Sequence, residues 1–431
     1  MSSRMPHLPT RNLPLPTQRQ RQYGLLVPAA DTVHVSPLPV AHSVVLGSAA
    51  GVPGLGADLQ AEHVQLRCVP GGLDVRPLDG VVLHGGKLVA DRGVLVQPGQ
   101  VLRLGRRPVV VVELAANGVV RLGELTSASP TMWQIYASLA LAADSQLPVL
   151  LLGESGTGKE LAARAVHQAG PRCDGPWQAV NCAALHGDTL LAELFGAVKG
   201  AYTGATQDRA GAFERAHQGT LFLDEIGELS PAAQAALLRV LEVGEVQVLG
   251  GPVKRVDVRV VCATHRDLRR EVTAGRFRLD LLYRLAVLEL TLPPLRERKE
   301  DVPLLFADFL GDVPLPAGAQ RLLASAEFPG NLRGLRNLAQ RLVVLAPTGE
   351  PTLADLRTLL EREATMRPHQ QILSGAEVAP PERLQWVQSH LARSNSVADA
   401  QRASGLPRGT FFRYLKQLRA DGLLEGGAVA A

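Results

Sequence analysis

Gly153-Glu154-Ser155-Gly156-Thr157-Gly158-Lys159 puts glycines and a lysine on one short turn, after the apolar run Val149–Leu152 and before a helix-forming stretch. Such glycines let backbone N–H groups converge on phosphate oxygens, and the positive end of the following helix adds to the attraction. Lys159 would reach the terminal phosphates as a point charge. The next position is Glu160, so the Ser or Thr hydroxyl that ordinarily touches Mg2+ is missing. Further on, Leu221-Phe222-Leu223-Asp224-Glu225 is an apolar run ending in two acids. An Asp at that point can hold Mg2+ through water, and a neighbouring Glu can polarise an attacking water. Taken separately, these are a glycine turn and a solvated strand end. Together they point to hydrolysis of a nucleoside triphosphate.

This chemistry needs a parallel sheet beneath it. Val149–Leu152, Thr220–Leu223 and Val258–Ala263 read as short buried strands, with a helical stretch around Pro231–Leu241. That alternation predicts an α/β domain from Ser127 onward. After Pro293-Pro294 helical periodicity takes over to about Leu360. Residues 361–380 read as a linker and 381–425 as short helices around a glycine turn. Before the α/β region, short apolar runs alternate with turns at Pro70-Gly71-Gly72, Gly85-Gly86 and Pro98-Gly99, the texture of a small all-β sandwich. Residues 1–30, with five prolines and little apolar periodicity, read as a disordered tail.

Composition limits the function classes. The 431 residues are 46% hydrophobic and 20% charged, ordinary globular usage that excludes bulk disorder. The net charge of +4 sits in Arg4, Arg11, Arg19 and Arg21 of the tail, so the remaining body is neutral and overall basicity does not argue for nucleic acid. No apolar run approaches the ~20 residues of a membrane span, and no secretory leader is evident. Cys68, Cys173, Cys182 and Cys262 are widely spaced, as expected of reduced thiols in a cytoplasmic protein rather than a disulfide or zinc frame.

One local patch is basic. The segments Val397–Ala403 and Pro407–Arg419 flank the turn Ser404-Gly405-Leu406 with helix-turn-helix spacing. The second segment carries Arg408, Arg413, Lys416 and Arg419 and no acid, as a groove-entering helix needs. Arg408, Thr410, Arg413 and Lys416 are the candidate DNA contacts.

These motifs resemble the bacterial sigma-54-dependent transcription activators, which are AAA+ ATPases. The likeness is close over residues 127–345 and looser over 381–420. Glu160 then fits, because the family's loop reads Gly-Glu-Ser-Gly-Thr-Gly-Lys-Glu. Gly200-Ala201-Tyr202-Thr203-Gly204-Ala205 is similar to the family's Gly-Ala-Phe-Thr-Gly-Ala loop, which engages sigma-54. Val198 stands where Glu is common. The resemblance makes Asn181 a switch that pairs with Glu225, His265 a nucleotide sensor, and Arg333 a lid arginine acting in cis. It makes Arg278 and Arg284 arginines acting across a subunit boundary. Gly334 replaces the usual Glu after Arg333.

The region before residue 125 resembles a forkhead-associated domain at Gly47-Ser48, Leu59…His63, His84-Gly85 and Gly99–Gly105, but Ser48, Gln60 and Ala61 replace the residues that hold phosphothreonine. A scaffolding role is the reading preferred for His63.

The expected architecture is multidomain. A tail (1–30) leads to a forkhead-associated-like β-sandwich (31–125) and an AAA+ α/β P-loop ATPase core (127–292). A helical lid (293–360), a linker (361–380) and an all-α helix-turn-helix domain (381–425) follow. The resemblance implies a cytoplasmic, ATP- and Mg2+-dependent activator. It would form a homo-oligomeric ring, a hexamer in type, bind upstream double-stranded DNA and remodel the sigma-54 RNA polymerase, with no membrane partner. Two other readings stay open: a remodelling ATPase of another class, and a DNA-binding repressor uncoupled from sigma-54.

Overall fold

The structure is a computed structural model. It describes residues 22–373, apart from 29–31, 40–42, 49–51, 53–54, 56–58, 61, 116–117, 186, 203–204 and 346–350, and then 386–391, 396–406, 411, 414, 415 and 418. Two compact units are present. One runs to Leu315 and includes Ala319–Arg341, and the other comprises Pro316–Gly318 and the chain from Leu342 onward.

The first unit begins with twelve strands in two antiparallel sheets. The larger sheet holds β1 (Gln22–Pro28), β2 (Val33–Pro37), β6 (Val82–His84), β7 (Lys87–Leu88), β9 (Val101–Leu104), β10 (Arg107–Ala115), β11 (Val119–Leu122) and β12 (Leu125–Ser127). The smaller is ordered β3 (Val44–Leu46), β4 (Val64–Val69), β5 (Gly72–Pro77), β8 (Val94–Val96). Leu25, Leu66, Val75, Val109 and Val111 share one core between the sheets, so the expected sandwich is present.

The expected tail is corrected at its end. Gln22–Pro28 is strand β1, paired with β10 and β2, with Tyr23 and Leu25–Val27 buried. The run Tyr-Gly-Leu-Leu-Val supplies enough apolar surface to offset its ordering entropy. Residues 1–21 lie outside the described residues.

Successive residues of a strand face opposite sides, and β10 uses both. Val109 and Val111 enter the sandwich core, whereas Val110 and Val112 join a second cluster with Leu26, Val120 and Leu122. That cluster continues into Met132, Tyr136 and Leu139 of α1 (Pro130–Asp144) and Ala162 and Val166 of α2 (Lys159–Gln168). It reaches Val149 and Leu151 of β13 (Val149–Leu152) on the far side. The β-sandwich and the α/β domain therefore share a core, with α1 and α2 between their sheets.

A third sheet is all parallel, ordered β14 (Trp177–Asn181), β15 (Thr220–Asp224), β18 (Arg259–Thr264), β13, β19 (Leu288–Thr291). Its other face is covered by α3 (Gly187–Phe195), α4 (Ala212–Arg215), α5 (Pro231–Val243), α6 (Leu268–Thr273) and α7 (Leu279–Leu285). A hairpin, β16 (Glu245–Gln247) and β17 (Val253–Arg255), projects between α5 and β18. The helical lid follows as α8 (Asp301–Leu310), α9 (Ala319–Ser325) and α10 (Asn331–Leu345).

In the second unit, α11 spans Leu353–Leu373, so the expected linker is corrected over its first part. Glu361-Arg362-Glu363-Ala364 are strong helix formers and extend the helix. Further on, a helical stretch at 386–391 and the helix Val397–Ser404 pack through Val387, Leu391 and Ala400 with Phe411, Tyr414, Leu415 and Leu418. Ser396 caps the second helix by accepting from Asp399 N at 3.1 Å. Gly405 ends it in the left-handed conformation, φ +67°, that its place in the turn requires. Arg408, Thr410, Arg413 and Lys416 lie outside the described residues. Among the described residues no helix is long and apolar enough to cross a membrane.

Candidate nucleotide site

β13 runs directly into the phosphate loop, and α2 starts at Lys159. Gly156 and Gly158 have φ of +79° and +103°, a region that disfavours side chains. A Cβ on Gly156 would also meet Gly330 O at 2.4 Å, so the lid approaches too closely for any other residue. Lys159 is 6% exposed and its Nζ donates to Gly153 O at 2.8 Å and Glu154 O at 3.0 Å. Burial pushes the Lys159 ammonium below its ordinary pKa, opposed by the carboxylates of Glu225 and Asp224. Thr157 is buried, and its hydroxyl donates to Glu154 O at 2.9 Å. Glu160 lies exposed and accepts from Arg164 one turn along, away from the loop.

β15 delivers Asp224 and Glu225 beside that loop. Burial, then the Glu225 charge, raises the Asp224 pKa, and Lys159 counters both. The family resemblance pairs Asn181 with Glu225, and here the structure differs. Asn181 Nδ2 donates to Asp224 Oδ2 at 3.4 Å, while its Oδ1 accepts from Ala183 N. Strand register explains this, because Asn181 pairs directly with Asp224 across β14 and β15. Glu225 is turned away by a left-handed backbone, φ +53° and ψ +51°. Its Oε2 lies 2.7 Å from His265 Nδ1, 3.3 Å from His265 N and 3.4 Å from Thr264 Oγ1, all at the end of β18. His265 is thus brought to the site, as a partner of Glu225.

The lid closes on the loop through side chains. Arg333 Nη1 donates to Ser155 Oγ at 3.0 Å. Asn331 Nδ2 donates to Ser155 O at 3.0 Å and Glu154 Oε2 at 3.2 Å. Arg296 binds both oxygens of Glu154 at 2.9 and 2.7 Å and holds its pKa below the usual carboxylate range. A side chain at Gly334 would face open space. Sequence reasoning did not find Asn331, Arg296 or Arg298, although all three sit in short motifs beside the lid prolines.

Arg278 and Arg284 are not drawn into this cluster. Arg278 stands at the N-cap of α7, in a bidentate pair with Asp280, and Arg284 is exposed in the last turn. Arg278 is therefore outside the helix proper, while Arg284 is within it.

The loop Gly200–Ala205 is pinned at its base. Gly200 N donates to Ala205 O at 2.8 Å, and Lys199 N to Asp208 Oδ1 at 2.8 Å. Val198 N donates to Leu249 O, tying the loop to the β16–β17 hairpin. A side chain on Gly251 would meet Val198 Cγ1 at 2.8 Å, so the Gly250-Gly251 turn makes the seat for this valine. Ala201 and Tyr202 are half-buried, and Thr203 and Gly204 lie outside the described residues.

In the sandwich, His63 is 2% exposed, with Nε2 2.9 Å from Val81 O and Nδ1 accepting from Gln60 N. This is the scaffolding arrangement. Arg67 is paired with Asp74 on the neighbouring strand.

A parallel sheet, a phosphate loop, an acidic strand end and an arginine-bearing lid define a P-loop ATPase fold of the AAA+ class. The "Sigma-54 interaction domain" profile matches residues 125–291, and the "AAA+ ATPase lid domain" profile matches residues 296–372. NorR, the anaerobic nitric oxide reductase transcription regulator of Escherichia coli O6:H1 (strain CFT073), is 48% identical over 269 residues, 59% of this chain and 53% of that protein. Crystal structures of NtrX from Brucella abortus in complex with ATP and with ADP are each 30% identical with a TM-score of 0.50. The ATP complex covers 69% of this chain and 70% of NtrX. The chain belongs to the sigma-54-interacting AAA+ family of transcription regulators. It spans about half the length of the curated relatives it matches.

Proposed function

We propose that this chain is an ATP-hydrolysing transcription activator that remodels the sigma-54 RNA polymerase to the open complex. The observation that carries this reading is the convergence of Lys159, Asp224, Glu225, His265 and Arg333 on one phosphate loop, in a chain that also presents the loop Gly200–Ala205. The backbone of Gly153–Glu160 would cradle ATP, Lys159 would hold its terminal phosphates, and Arg333 would report on them from the lid. Glu225 would polarise the attacking water. Asn181, through Asp224, would sense the acidic strand end.

The donor set fits Mg2+. Asp224 is a half-buried carboxylate with a second acid beside it, and among the described residues no cluster of three such ligands exists, so the remaining ligands would come from phosphate oxygens and water. When bound, the cation would supply charge neutralisation at the phosphates.

Arg278, at the N-cap of α7, and Arg284, in its last turn, are both exposed and suit action across a boundary between copies in a ring. The Gly200–Ala205 loop would contact sigma-54. Residues 381–425 would bind upstream double-stranded DNA as a helix-turn-helix, with Arg408, Thr410, Arg413 and Lys416 nearest the duplex. The place of action would be the cytoplasm. The N-terminal sandwich would act as a protein-contact or autoinhibitory module of forkhead-associated type without phosphothreonine recognition, since Ser48, Gln60 and Ala61 offer no charge-assisted donor. The test is open-complex formation with purified sigma-54 polymerase. It should require ATP and be lost in Glu225→Gln; activation without ATP would overturn the reading.

A further inference from the structure

Behind the phosphate loop lies a buried polar chain that the hydrolytic chemistry does not use. Arg298 is 2% exposed, and its Nη2 donates to Thr157 O at 2.8 Å. Asp301, fully buried, follows at the start of α8, and its backbone N donates to Arg298 O at 3.0 Å. The Asp301 carboxylate stands 4.0 Å from Arg298 Nη1. It also accepts from Ser127 Oγ at 2.7 and 2.8 Å and from Ala128 N at 2.7 Å. Ser127 is fully buried and is the last residue of β12, the strand that ends the N-terminal sheet. Its Oγ accepts from Ser129 N, and its carbonyl accepts from Trp133 Nε1 of α1.

The geometry gives this chain a consequence at the phosphate. A trans peptide is planar, with its C=O and N–H pointing in opposite directions. Fixing Thr157 O on Arg298 therefore fixes the direction of the Gly158 N–H. That N–H belongs to the loop that would cradle the phosphates. Gly158 itself, at φ +103°, has the conformational freedom to swing if the carbonyl is released. Arg298 can hold the carbonyl only where Asp301 sets it, and Asp301 takes its hydroxyl partner from the N-terminal sheet. A buried guanidinium and carboxylate with several hydrogen bonds is also costly to disturb in part, so the chain moves as a unit.

We propose that Arg298 is a positioning residue for the phosphate loop, and that Ser127 and Asp301 tie its position to the last strand of the N-terminal sheet. Nucleotide affinity is thereby coupled to the placement of the sandwich. This rests on the reading of the site as an ATP site.

The test measures ATP affinity of the full chain by calorimetric titration, for the natural sequence, Ser127→Ala, Arg298→Lys and the double variant. Losing a charge-assisted hydrogen bond in Arg298→Lys should weaken ATP binding about tenfold, and losing the Ser127 hydroxyl about threefold. The turnover number of Ser127→Ala should change less than about twofold, because no transition-state contact is removed. In the double variant the effects should not multiply, since both interrupt one path. Unchanged affinity in Ser127→Ala, or full multiplication in the double variant, would overturn the proposal. So would a lowered urea midpoint in Ser127→Ala with affinity intact, the mark of a purely structural role. Ser127→Ala removes a single oxygen and carries the test alone if Arg298→Lys does not fold. Absence of ATP binding by the natural sequence would sink the nucleotide reading itself, a result distinct from normal binding with no Ser127 effect.

Discussion

His265 Nδ1 lies 2.7 Å from Oε2 of Glu225, and this contact, rather than one with Asn181, orients the Glu225 carboxylate. The pair spans the ends of β15 and β18, so a shift of either strand end moves it. Glu225→Gln should keep ATP binding and lose hydrolysis by about a hundredfold or more, the usual worth of a positioned general base. His265→Ala should lower turnover by a smaller factor and leave ATP affinity close to normal. Lys159→Ala should abolish binding. Phosphate release and ATP titration on the three variants check this, and normal turnover in Glu225→Gln would contradict the assignment.

Arg278 and Arg284 call for a mixing experiment. If either acts on a neighbouring subunit, its Ala variant should bind ATP and fail to hydrolyse it. Combined with Lys159→Ala it should regain part of the activity, since each variant supplies what the other lacks. Mixed assemblies shown to form yet remaining inactive would exclude a trans arginine.

Thr203→Ala should retain most ATPase activity and lose open-complex formation if the proposed loop contacts the polymerase and not the nucleotide. Tyr202→Phe should remain active. Val198→Glu should disturb the loop base, since it would set a carboxylate against Val248 and the Gly250-Gly251 turn. Promoter-opening assays run beside ATPase assays separate the two effects.

The Glu154–Arg296 pair gives a pH dependence with a definite sign. Its ion pairing holds the folded carboxylate below its ordinary pKa. Its stabilising contribution is therefore complete above the ordinary carboxylate range and is lost as pH falls through the lowered folded value. Urea midpoints of the natural sequence and Glu154→Gln should differ at neutral pH and converge as the medium becomes acidic. A constant difference across that range would argue against a stabilising Glu154–Arg296 pair. The pair is half-exposed, so the difference should be small and shrink further with added salt.

Leu26→Ala should cost about 2–5 kcal/mol, as expected for a buried leucine. It should lower the unfolding midpoint of the sandwich and the ATPase core together, because Leu26 belongs to the cluster that also holds Tyr136 and Leu151. Hydrogen exchange of the sandwich strands and loss of ATP binding, each followed through denaturation, test the coincidence. Removal of residues 1–125 should leave the α1 face uncovered and give an aggregating or altered assembly.

Much of the chemistry was legible in the sequence because it depends on local order. A glycine turn between an apolar run and a helix can be read from adjacent residues, and so can the acids closing Leu221–Leu223. The six-residue loop Gly200–Ala205 and the lid arginine were legible only as motifs, since nothing in their own periodicity assigns them a partner. The partner of Glu225 was not legible at all. It follows from the register of parallel strands and from a left-handed backbone at one residue, and both are settled by packing far from the motif. The shared core left a signal that went unused. Val109–Val112 is an unbroken apolar run in an antiparallel strand, and a strand with only one covered face would alternate. What sequence by itself determined was the identity of the reactive groups and the strand–loop–helix that carries them, because these rest on contacts a few residues apart. What only tertiary structure decided was which groups meet. Ser127 and Asp301, or Glu154 and Asn331, lie more than a hundred residues apart in the chain, and only the packing of the lid segment against the end of β12 and against the phosphate loop brings each pair within hydrogen-bond reach.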